Sequence, residues 1–187
     1  SNARTHHPLL FTPALTHARV HDRPCLAIAD WFHLRTAESA DRCVEIDTDL
    51  REDGTSPRLG YAQSCQSWSG RLNYDAATQL LYIDGGTTWA LNAAAVADES
   101  PVTLLNAADA LLSDGAKFVL EEAADGYFRV TSATDDTLAI GSAGDVFHDT
   151  GTTLRLRPKT VQATRFWISC VENQVCSCQP LGQTPIF

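Results

Sequence analysis

The chain has 187 residues, 44% of them hydrophobic and 20% charged, with 11 glycines and 8 prolines, the composition of a folded soluble domain long enough to bury a core of its own. Its 14 basic against 23 acidic residues leave a net charge of −9, which works against phosphate backbones and anionic lipid, so neither nucleic acid nor a membrane is an expected partner. Apolar runs are only a few residues long, far short of the roughly 20 that a membrane-spanning helix needs.

In chain order, Ser1-Asn2-Ala3 reads as the remnant of a cleaved tag. Residues 4–30 follow as an amino-terminal arm, with His6, His7, His17 and His21 scattered among prolines and small residues without sustained periodicity. His17 and His21 stand four apart, but no apolar stripe accompanies them, so exposed histidines are expected there rather than metal ligands. Cys25, Cys43, Cys65, Cys170, Cys176 and Cys178 form an even set that suits three disulfides and an oxidising, extracellular compartment. Cys43 and Cys65 flank one hairpin-like unit, and Cys25 could tie the arm to a cysteine-containing tail, residues 171–187. Zinc sites favour C-x-x-C pairs, and no such pair is present, so neither a metal nor any other cofactor is expected.

From Trp31 onward, short apolar or alternating runs are separated by Gly, Asp, Thr and Pro, the pattern of many short strands and an all-β domain over 31–170. The clearest are Phe32–Arg35, Cys43–Ile46, Leu80–Ile83, Phe118–Leu120, Tyr127–Val130, Leu154–Arg157 and Phe166–Ile168, with turn signals at Asp53-Gly54, Asp84-Gly85-Gly86, Asp125-Gly126 and Asp149-Thr150-Gly151. Residues 101–112 are ambiguous. Ser100-Pro101 could cap a helix running to Leu112 and ended by Gly115, or the segment could be a strand and a loop.

A faint threefold repeat organises these runs. The first copy reads Cys43-Val44-Glu45-Ile46, Gly54-Thr55-Ser56-Pro57, Arg58-Leu59-Gly60-Tyr61, Gln66-Ser67-Trp68 and Gly70-Arg71-Leu72. The second opens at Trp89-Ala90-Leu91-Asn92 and continues through Glu99-Ser100-Pro101-Val102-Thr103-Leu104, Ala116-Lys117-Phe118 and Gly126-Tyr127-Phe128. The third runs from Leu138-Ala139-Ile140-Gly141 through Gly151-Thr152-Thr153-Leu154-Arg155-Leu156 to Thr164-Arg165-Phe166-Trp167. Three such units of four strands can close a six-stranded barrel capped by three hairpins, with Trp68, Phe118 and Phe166 expected as buried anchors.

In these motifs the chain resembles the ricin-type β-trefoil family, whose repeats carry a Cys-Leu-Asp-Val-like strand, a Thr-Pro-Val-Gln-Leu-Trp-like strand and a Gln-X-Trp anchor. The resemblance implies a β-trefoil of three repeats of about 45–50 residues. It also implies a carbohydrate-binding, lectin-like module, with a glycan or glycoprotein as partner. Each repeat of such a module can hold one shallow sugar pocket, in which a polar side chain takes paired hydroxyls and an aromatic face takes the pyranose ring. On that pattern Glu45, Tyr61 and Gln66 belong to the pocket of the first copy and Asn92 to that of the second. Leu105 stands where the second ring should be, and Gly141 and Arg157 occupy the two places in the third.

Other chemistry finds little support. The acids Asp47, Asp49, Glu52 and Asp53 do not fit a calcium loop, because Glu52 stands where glycine is needed. Asp135-Asp136 reads as a turn. No Gly-X-Ser-X-Gly elbow, His-Glu-X-X-His pair or phosphate-binding glycine loop occurs, so an enzyme is not expected. The alternative function is a secreted trefoil that binds a protein, such as a protease inhibitor or an effector, through the loops 47–53 and 106–115.

Overall fold

The computed structural model describes residues 31–37, 39–46, 51–61, 68–123, 126–143 and 151–170. The arm, the tail, Cys25, Cys65, Gln66, Cys176 and Cys178 lie outside the described residues. The first repeat supplies β1 (Phe32–Thr36), β2 (Ser39–Glu45), β3 (Arg58–Tyr61) and β4 (Leu72–Asp75). The second supplies β5 (Leu80–Ile83), β6 (Trp89–Ala93), β7 (Val102–Asn106) and β8 (Phe118–Glu122). The third supplies β9 (Phe128–Ser132), β10 (Leu138–Ser142), β11 (Leu154–Pro158) and β12 (Phe166–Cys170).

Six strands form the barrel. Antiparallel pairs β4–β5, β8–β9 and β12–β1 join successive repeats, the last running from Phe32 opposite Cys170 to Thr36 opposite Phe166. Within repeats the barrel strands touch where Phe32 faces Leu72, where Phe128 faces Phe166, and where the Phe118 N–H donates to the Gln79 carbonyl at 2.8 Å. The hairpins β2–β3, β6–β7 and β10–β11 cap the barrel, so the architecture is the all-β trefoil expected from the repeat. Alternation drives it: Val102 and Leu104 point inward while Thr103 and Leu105 do not. That pattern settles 101–112 as strand β7 followed by a single helical turn, α1 (Ala107–Ala110), capped by Asn106, whose side chain accepts from the Asp109 N–H. Cys43, buried on β2, is disulfide-bonded.

One core serves all three repeats, and its barrel layer contains Leu72, Phe118 and Phe166, each fully buried. This corrects the expected anchor set. The 3-10 turns at Trp68–Gly70, Asp114–Ala116 and Gln162–Thr164 each end two residues before a barrel strand. Leu72, not Trp68, is therefore the counterpart of Phe118 and Phe166, and Trp68 opens the preceding turn. The spacing agrees: 72, 118 and 166 lie 46 and 48 apart, against 47 and 49 for the hairpin positions 43, 90 and 139.

The caps interlock through six backbone hydrogen bonds. Gly54 N–H donates to Leu104 O at 2.9 Å and Leu104 N–H to Thr55 O at 2.7 Å. Glu99 and Ser100 make the same pair with Leu156, at 2.9 Å each, and Gly151 and Thr152 with Leu59, at 2.8 and 3.0 Å. The leading residue has positive φ in each case: 87° at Gly54, 64° at Glu99 and 84° at Gly151. Glutamate thus holds a conformation that glycine adopts without cost, and its carboxylate reaches Arg155 and Arg157 of the next repeat. A Cβ built on Gly54 or Gly151 meets nothing within 4 Å, so Gly54→Ala and Gly151→Ala report backbone strain alone. Each is expected to lower stability by about 1 kcal/mol in urea denaturation.

His33 on β1 is only 4% exposed and its Nδ1 lies 2.8 Å from the Gly70 carbonyl, the geometry of a neutral ring donating to it. Burial pushes its pKa below the ordinary value, and Arg35 and Arg71 push the same way, against the Gly70 hydrogen bond. The unfolded chain therefore takes up this proton first as the pH falls below about 6.5. The contribution of His33 is full above that pH and declines below it. His33→Gln should flatten the loss of thermal stability between pH 7 and pH 5.5 relative to the parent.

Candidate functional site

Strand pairing superimposes the three caps residue by residue. Glu45 faces Arg58, Asn92 faces Thr103 and Gly141 faces Arg155, so the three positions singled out in the sequence for a polar pocket group are equivalent. Gly60, Leu105 and Arg157, facing Cys43, Ala90 and Ala139, form the second equivalent set. Tyr61 faces Arg42, level with Asn106 and Pro158, so it stands one residue beyond the ring position assigned to it in the sequence. The slot itself holds Gly60.

In the first cap, Glu45 is 8% exposed and its carboxylate lies 3.6 Å from Arg58 Nε. A Cβ on Gly60 would overlap that carboxyl group. Glycine at 60 is what allows the acid to fold across β3. Arg58 is half exposed and lines an open cleft with Glu52, Asp53, Thr55, Ser56 and Thr153. Asp53 also accepts from the Asn106 N–H at 2.8 Å, which ties this acidic loop to the second cap. Asp47 and Asp49 lie outside the described residues.

In the second cap, Asn92 Oδ1 accepts from Ser113 Oγ at 2.7 Å, and Leu105 packs on a small cluster of Leu80, Ala90, Ala110 and Ala116 beneath α1. The amide is engaged and the ring position is covered. In the third, a Cβ on Gly141 would come within 2.9 Å of the Ala163 carbonyl and 3.2 Å of Arg157 Cγ. Arg157 lies across that slot, held by the carboxylate of Glu99 and with Asp98 at 3.9 Å. The same two positions thus carry three different arrangements, of which the first adjoins an open polar cleft. Among the described residues, no three His, Cys, Asp or Glu side chains converge on a metal position.

No protein-family model matches the chain, and no curated protein matches it in sequence. Solved structures do. A designed three-fold symmetric protein, ThreeFoil, superposes with a TM-score of 0.64 at 11% identity, covering 76% of this chain and 100% of its own. The Macrolepiota procera ricin B-like lectin, solved in complex with lactose, gives 0.58 at 8% identity, covering 76% and 96%. The fold is a β-trefoil. A mosquitocidal holotoxin matches with a TM-score of 0.62 at 13% identity, and there the chain spans only 17% of the longer protein.

The trefoil caps are close-packed around the candidate slots, and Gly115 shows it. A Cβ there would overlap the Ala93 carbonyl oxygen and sit 3.1 Å from Asn92 Oδ1. Backbone cannot step aside as a flexible side chain can. Gly115→Ala is expected to cost about 1–3 kcal/mol in chemical denaturation and to shift the amide resonances of Asn92 and Ser113.

Proposed function

We propose that this trefoil is a secreted carbohydrate-binding module, a binding domain without a catalytic step, whose working hairpin pocket lies in the first repeat. The supporting observation is the Glu45–Arg58 pair at the border of an open cleft lined by hydroxyls and carboxylates. Sugars are recognised by such directional donors and acceptors around a ring with an apolar face. The second pocket is a weaker candidate because Ser113 occupies Asn92, and the third has no acidic or amide group at Gly141. The lactose complex of the M. procera lectin supports a glycan as ligand class. The even set of six cysteines fits three disulfides, which would suit the extracellular setting in which glycans are met.

A second reading, a protein partner, has one observation in its favour. Leu111 and Leu112, just past α1, are 48% and 87% exposed, an apolar tip on a loop of the kind that binds partners.

Glycan-array binding of the purified domain, with Glu45→Gln and Tyr61→Ala beside it, separates the two. Binding to a defined sugar class that falls about tenfold or more in Glu45→Gln is the expected result, and loss in Tyr61→Ala would add that residue to the pocket. A blank across the array would overturn the hairpin pocket and leave the leucine tip as the lead for the caps.

A further inference from the structure

We propose a second binding site on the outer wall of the barrel, at β9, β12 and β1, for a pyranose carrying a carboxylate, with Trp167 as its stacking face and Arg165 as its anion partner. The hairpin cleft plays no part in it.

Strand geometry assembles the site. Phe166 is fully buried and Ile168 packs against the core, so Arg165, Trp167 and Ser169 alternate to the outside of β12. On β1, Arg35 faces Trp167 directly and its Nε donates to Ser169 Oγ at 2.8 Å. On the other side, pairing of Phe128 with Phe166 brings Tyr127 and Arg129 level with Trp167 and Arg165. The rings of Tyr127 and Trp167 lie 4.2 Å apart, tilted by 51°, and the Arg165 guanidinium sits 5.0 Å from the Tyr127 centroid. Trp167 remains 39% exposed.

The threefold repeat shows what the fold itself requires here. Counterparts of Trp167, one residue past the inward anchor, are Asn73 and Val119, both half-buried. A tryptophan is not needed to build this strand. The residue before each anchor is basic in all three repeats, Arg71, Lys117 and Arg165, yet an exposed aromatic stands beside it only in the third.

Electrostatics points to an anion. Burial and then the neighbouring Arg165 guanidinium lower the pKa of Arg129, while Glu121 opposes the shift, so two like charges are held close together. Glu121 is already paired with Lys159 at 2.6 Å and accepts from Thr131. A bound carboxylate would relieve the repulsion between the two arginines, and a guanidinium fork suits a carboxylate. The pyranose follows from the flat indole face, against which the C–H face of a sugar packs. An extended peptide has no strand edge to add to, because β9, β12 and β1 are each paired on both sides. Three arginines on a chain of net charge −9 are a poor footprint for nucleic acid.

The test is titration of the 15N-labelled domain with methyl α-glucuronide and, separately, methyl α-glucoside, which carries a neutral hydroxymethyl group in place of the carboxylate. The glucuronide should shift the indole N–H signal of Trp167, identified by its absence in Trp167→Ala, and bind about tenfold more tightly than the glucoside. Arg165→Gln, which leaves the indole in place, should reduce the glucuronide to the glucoside's affinity, and Glu45→Gln should leave it unchanged. Four outcomes would each overturn the proposal: an unmoved Trp167 signal, equal binding of the two sugars, equal shifts with acetate alone, or full affinity in Arg165→Gln. Loss in Glu45→Gln would move the binding to the hairpin cleft and overturn it too. Array binding that fails while Trp167 still responds would remove the hairpin pocket and leave this site standing.

Discussion

Each hairpin of the cap is tied to its neighbour as well as to its own repeat. The pairs from Gly54 and Thr55 to Leu104, from Glu99 and Ser100 to Leu156, and from Gly151 and Thr152 to Leu59 pass the chain's backbone polarity around the pseudo-threefold axis. A single repeat could not satisfy these groups alone, and leaving buried amides unpaired would cost more than the hydrogen bonds gain. Leu59, Leu104 and Leu156 are simultaneously the acceptors, the donors and buried core residues. The ring of bonds and the apolar core therefore fail or form together.

That constraint explains why the repeat survives with so little sequence in common. The interlock uses backbone atoms, so it demands a φ value at one position and an apolar side chain five residues later, and almost nothing else. Glycine meets the first demand at 54 and 151. Glu99 meets it against its own preference, and its carboxylate gathers Arg155 and Arg157 over the third cap. These are exposed ion pairs of modest worth, but their placement has a consequence for the site. The residue that departs from glycine in the second repeat is the one that closes the slot of the third.

Much of this was legible in the sequence. The alignment of Gly54, Glu99 and Gly151 and the equivalence of Glu45, Asn92 and Gly141 came from short motifs and hold in the strand register. Trp68 misled because Gln66-Ser67-Trp68 looks like an anchor by residue type, whereas the anchor is defined by distance from a 3-10 turn and falls on Leu72. The spacing alone would have found it. Tyr61 misled for a related reason: an aromatic one residue away is a better type match than Gly60, and only pairing with Cys43 reveals the slot. Helix propensity in 101–112 gave way because Val102 and Leu104 must alternate into the core while their backbone pairs with β6.

A threefold fold supplies its own control, since two repeats show what the scaffold needs at any position in the third. By that comparison the cap slots are places where the scaffold tolerates an acid, an amide or nothing, with glycine at 60 making room for Glu45 and glycine at 141 leaving room for Arg157. On the barrel wall the scaffold keeps a basic residue before every anchor, which suits a long side chain laid over apolar surface with its charge in solvent. Trp167 is the departure there. Burial cannot account for a large aromatic that stays over one-third exposed where asparagine and valine serve the other repeats. Its position follows from the packing of Tyr127 and the surrounding arginines, while its exposure is what packing leaves unexplained and what a ligand would use.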